Sequence, residues 1–235
     1  MYKKIFVSTA LILASINLNY ADVLIQWNLP TSSLAISVNA TSTALGLKLG
    51  SALIMGSGLT PTAYPTMWGG TSWTTSGTPL QASQANNYFA FDVSPETGND
   101  VLINGAARLV LYHSPNGPQF YDFLYSNSID FSTYQTYASF DLGGSGSVVN
   151  LDVTDSLTSA LAANPIQITS GNTGYFRIVG YGAISSIGAG RIVSDQSVDF
   201  GLNGSISSSS VPEPSSLSLL ALGGVVVALG RRKRA

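Results

Sequence analysis

The chain has 235 residues, 12 acidic and 10 basic side chains, a net charge of −2 and no cysteine. Six of the ten basic residues lie near the two ends, so Asp22 to Ser210 keeps only Lys48, Arg108, Arg177 and Arg191 against eleven acids, a net −7. That balance excludes a phosphate-reading nucleic-acid binder, which needs clustered Lys and Arg, and the missing cysteine excludes disulfides, zinc–thiolate sites, iron–sulfur clusters and a cysteine nucleophile.

The N-terminus reads as a signal peptide over residues 1–21. Lys3 and Lys4 precede an apolar stretch from Ile5 to Ile16 and a polar approach to Ala21, the layout of a secretory leader cleaved after Ala21. The stretch is short for a membrane span, so a signal helix that directs export is expected.

From Asp22 onward the apolar residues alternate with period two, the mark of half-buried antiparallel strands. Val23, Ile25 and Trp27 share a face; so do Leu34, Ile36, Val38 and Ala40, then Phe89, Phe91 and Val93, then Val198, Phe200, Leu202 and Ile206, with Asp199 and Asn203 opposite. Ala107 to His113, Phe120 to Tyr125 and Tyr175 to Tyr181 are apolar on both faces and belong inside a sheet. Pro- and Gly-bearing turns at 94–100, 114–118, 143–146 and 171–174 separate them. Gly50 to Gln84, rich in Gly, Ser, Thr and Pro, reads as a long loop excursion. One short helix is expected from Asp155 to Ala162, capped by Thr154 or Asp155 and stopped at Asn164-Pro165. The whole predicts an all-β, antiparallel β-sandwich of jelly-roll type over 22–206, followed by a polar linker at 207–210.

The last 25 residues have three parts. Pro212 and Pro214 keep the Pro212-Glu213-Pro214 segment extended. The apolar run Leu217 to Gly230 spans about 21 Å as a helix at 1.5 Å per residue and reads as a transmembrane helix. Arg231, Arg232, Lys233 and Arg234 hold that end in the cytoplasm by the positive-inside rule, leaving the body outside. This ending, residues 211–235, resembles the PEP-CTERM sorting signal of Gram-negative, often exopolysaccharide-producing bacteria. The resemblance implies that an exosortase, an integral-membrane protease, cuts near Glu213 and passes the body from a transient anchor in the inner membrane to the cell surface or extracellular matrix. The body is similar to the sandwich domain found ahead of such signals, through "NYFAFDVSPETG", "LVLYHSPNGPQFYDFLYS" and "GYFRIVGYGAISSIGAGRI".

Little in the body points to catalysis. His113, the one histidine, ends a strand beside a proline turn, and no serine sits in a Gly-x-Ser-x-Gly elbow. Glu96 is the body's one glutamate and lies in a turn, so a glycosidase pair would have to be two aspartates. No His cluster or calcium-loop spacing occurs. Asn99 with Asp100, Asp152 with Asp155 and Asp195 with Asp199 offer oxygen ligands for a structural Ca²⁺, but capping and turn roles account for them, so no cofactor is expected. Trp68 and Trp73, with Tyr64 just before them, occupy a Gly-rich stretch where exposed rings could stack on sugars; the competing expectation is that the indoles cover the sandwich. The chain is therefore expected to be a non-enzymatic surface or matrix protein processed by an exosortase, with binding of exopolysaccharide through Tyr64, Trp68 and Trp73 as the alternative.

Overall fold

A computed structural model describes residues 22–208 apart from 31–32, 50, 76, 144–145 and 195–197. The signal helix, the transmembrane helix and the sorting signal expected from the sequence lie outside the described residues. The strands and helices run in the order β1 (Asp22–Trp27), β2 (Ser37–Asn39), β3 (Ser42–Thr43), β4 (Ala52–Met55), β5 (Thr60–Pro61), β6 (Met67–Thr71), α1 (Pro79–Gln84), β7 (Tyr88–Val93) and β8 (Asn99–His113). There follow β9 (Phe120–Ser126), β10 (Gln135–Asp141), β11 (Val149–Asp152), α2 (Thr154–Ala163), β12 (Ile166–Ile168), β13 (Gly174–Tyr181), β14 (Gly190–Val193) and β15 (Phe200–Ser208).

The fold is all-β and antiparallel, in two sheets. The larger runs β3-β1-β15-β8-β14-β6-β5, with β11 and β12 also paired to the long strand β8; the smaller runs β10-β9-β13-β7-β4-β2. The runs predicted to be apolar on both faces, β8, β9 and β13, all lie inside a sheet. One continuous core joins the two inner faces. Trp27 on β1 stacks on Phe200 of β15 at 5.1 Å and tilts onto Phe91 of the other sheet at 5.0 Å, and Phe91 stacks on Phe176 at 4.8 Å. Such aromatic pairs add about 0.5–1.5 kcal/mol each beyond the area they bury.

Alternation holds cleanly in β7, where Phe89, Phe91 and Val93 are buried, and fails where the backbone is irregular. A bulge between Val23 and Ile25 in β1 sends Leu24 and Ile25 inward and Val23 into solvent, because one extra residue reverses the faces. Leu34 and Ile36 are exposed; only Ser37–Asn39 of that predicted strand forms, on a sheet edge. Asp199, expected on the polar side, is buried: its carboxylate accepts from the Leu29 N–H at 2.6 Å and lies 3.7 Å from Arg108 Nη1.

The stretch expected to be a loop from 50 to 84 contains β4, β5, β6 and α1. Helix α1 starts at Thr78, whose Oγ1 accepts from the Gln81 N–H, with Pro79 in the first turn. Helix α2 has Val153 at its start with no side-chain cap; Thr154 Oγ1 instead accepts from the Leu109 N–H at 2.9 Å and ties the helix to β8. Strand β15 continues through Ser208, paired to Asn99, so the first two residues of the expected linker belong to the sheet.

Candidate functional site

The three rings proposed for stacking do not form one surface. Trp68 lies on β6 and is 0% exposed; its indole tilts onto Phe89 at 5.2 Å and donates to the Ala35 carbonyl at 2.8 Å. Trp73 is 1% exposed, meets Phe89 and Tyr121 edge-on, and donates to the Gly70 carbonyl at 2.8 Å. Both indoles are core residues with satisfied N–H groups, which corrects the carbohydrate-stacking assignment. Tyr64, 41% exposed, lies elsewhere, with Arg191 4.8 Å from its ring centroid. Room for Trp73 comes from glycine: a Cβ on Gly180 would come within 2.6 Å of its ring, and one on Gly190 within 2.3 Å of Tyr121 Oη and 2.7 Å of Trp73.

The remaining candidates serve turns and strand ends. His113 is buried, with Nδ1 2.8 Å from the Ser114 carbonyl and Nε2 3.0 Å from that of Gly143, so it joins β8 to the segment after β10. Asp100 Oδ1 accepts from the Ser170 N–H, Asp152 Oδ1 from that of Thr154, and Asn99 Nδ2 donates to the Gly46 carbonyl. Asp155 sits in the first turn of α2, and Asp195 lies outside the described residues. Among the described residues, no three His, Cys, Asp or Glu side chains gather as metal ligands.

A different place emerges on the outer face of the smaller sheet. Alternation along β13 turns Phe176 and Ile178 inward and leaves Arg177 outside, opposite Ala90 of β7 and Leu124 of β9. Its guanidinium packs against two rings, 4.2 Å from the centroid of Tyr88 and 3.9 Å from that of Phe131, and Nη1 donates to Ser83 Oγ on α1 at 2.8 Å. Cation–π contact is worth about 0.5–2 kcal/mol, more as the pair is desolvated. Burial lowers the proton affinity of Arg177, with Tyr88 and Asp130 opposing the effect.

The β9–β10 loop carries Phe131 to this position. Asp130 Oδ1 accepts from Ser128 Oγ at 2.7 Å and from the Ser132 N–H at 2.9 Å, and Phe131 adopts a left-handed φ of 54°, which is strained for an aromatic residue. The Ser132 N–H and the Ser128 hydroxyl hold the Asp130 carboxyl below its usual range, while burial pushes the Asp92 carboxyl up. Two depressions flank Arg177 and Phe131. One, about 380 Å³, is edged by Ser83, Gln84, Asn86, Asp130 and Tyr134; the other, about 350 Å³, by Ile54, Tyr88, Asp92, Ile129 and Tyr175. The first is polar and the second largely apolar and aromatic, a combination suited to binding. The aromatic–Arg–aliphatic pattern of β13 was visible in sequence. The ring from Phe131 was not, because it depends on one non-glycine residue at positive φ.

An all-β body bearing a surface cleft ahead of a tripartite tail defines the class: a chain with a C-terminal sorting segment. Residues 210–234 match the PEP-CTERM protein-sorting motif. The chain is thus an exosortase substrate, exported to the cell surface or the extracellular space. Comparison with curated proteins gives no match. Among solved structures, a point mutant of the family 29 carbohydrate-binding module CBM29-2 is similar at 12% identity and a TM-score of 0.25, over 76% of this chain and 96% of that one; a likeness at that level carries no argument here.

Proposed function

We propose that this is a non-enzymatic surface or matrix protein of a Gram-negative bacterium. The tail holds it briefly in the inner membrane through the apolar run Leu217 to Gly230, and an exosortase then releases the body at the Pro-Glu-Pro segment. The observation that carries this reading is the sorting motif at 210–234 placed directly behind a β-strand that ends at Ser208. The cut therefore falls just beyond the last described strand of the body. The second reading, carbohydrate binding, loses its tryptophans to the core but gains support from the mixed aromatic and polar cleft at Arg177.

Fractionation of the producing cells tests delivery. The native chain is expected in the surface or matrix fraction, and a variant with Pro212, Glu213 and Pro214 all changed to Ala is expected to stay with the membrane. Equal release of both would overturn the proposal.

A further inference from the structure

We propose that the cleft beside Arg177 binds an uncharged sugar chain spanning its polar and its apolar halves, along the rim that Tyr134 and Ile129 expose. The inference rests on the carbohydrate-binding reading and names its ligand class. Both depressions are lined by Phe131 and Arg177, so they adjoin, and each has the volume of an ordinary ligand pocket. A pyranose is amphipathic in the same sense as the cleft: its C–H faces suit aromatic and aliphatic walls, and its hydroxyls suit the amides, hydroxyls and carboxylate of the polar half. The exported destination puts this cleft among extracellular polymers.

Charge decides between neutral and acidic sugars. Among the described residues Arg177 is the one cation lining the cleft, and its lining also includes Asp130 and Asp92. The rings of Tyr88 and Phe131 lie 4.2 Å and 3.9 Å from the guanidinium carbon, and one of its N–H groups is given to Ser83. A uronate or sulfate would have to displace these partners beside a carboxylate. It would also approach a body of net charge −7, whose field repels a polyanion. An uncharged hydroxyl needs none of this and can bond to donors and acceptors alike.

Tyr134 and Ile129, 39% and 70% exposed, edge the two halves and can be changed without opening the core. The test uses the full chain in detergent, probed with an array of neutral and uronate-bearing oligosaccharides and titrated with any ligand found. The expected result is saturable binding of a neutral oligosaccharide, at least tenfold weaker in the Tyr134→Ala, Ile129→Asp double variant and unchanged in Ile187→Asp, an exposed residue outside the cleft. The thermal melts of these variants are expected to match the parent. Binding confined to uronate-bearing probes would overturn the ligand class and leave the carbohydrate reading standing. No binding on the array would overturn both. Neutral binding indifferent to the double variant would remove the cleft as its seat, and release of reducing ends would end the binding-only account.

Discussion

The indole of Trp73 meets Phe89 and Tyr121 edge-on and gives its N–H to Gly70, so its loss removes packing and strands a carbonyl. Trp73→Ala is expected to cost about 3–5 kcal/mol in a urea titration, and indole fluorescence of the parent is expected to be insensitive to added glycan. Tyrosine titration gives a second expectation. Burial, reinforced by the neighbouring Asp122 carboxylate that accepts its hydroxyl at 3.3 Å, pushes Tyr181 up to about 12, and burial raises Tyr121 as well. Unfolded tyrosines ionise near pH 10, so between about pH 10 and about pH 12 the unfolded chain holds fewer protons than the folded one and stability falls as pH rises. Denaturation followed across that window is expected to show a shallower loss in Tyr181→Phe. Sequence alone could not place these groups: a tryptophan pair among glycines reads equally as a platform or a core, and the outcome turns on which strand it joins.

Strands with a regular backbone were legible, as β7, β9 and β13 show, because burial on one face or two leaves a direct trace in residue order. The stretch from 50 to 84 was not. Its strands are two to five residues long, and β6 pairs with β14, more than a hundred residues away, so no local pattern announces them. Bulges in β1 and β15 likewise shift faces without a sequence signature. Strand β14 has no slack: Gly190→Ala would drive a methyl into Tyr121 and Trp73 and is expected to cost about 1–3 kcal/mol. Helix α1 hangs on its cap, and Thr78→Ala is expected to cost about 1 kcal/mol. That change would also loosen the Ser83 contact to Arg177, so it should weaken ligand binding in the cleft while sparing the core, a combination that parallel melting and binding measurements would read.

At the scale of the whole molecule, the C-terminal end carries the address and the body carries the surface. That address was readable because sorting machinery recognises short linear patterns, here Pro-Glu-Pro before an apolar run and a basic cluster. The cleft was not readable, because it is assembled from α1, β7, β13 and the β9–β10 loop, which only the fold brings together. Among the described residues, one core spans both sheets. The most direct measurement is the intact mass of the protein recovered from the surface or matrix of the producing cells. A chain lacking residues 1–21 and cut near Glu213 is the result this account predicts; a chain still carrying Arg231 to Ala235 would contradict it and make the tail a permanent anchor.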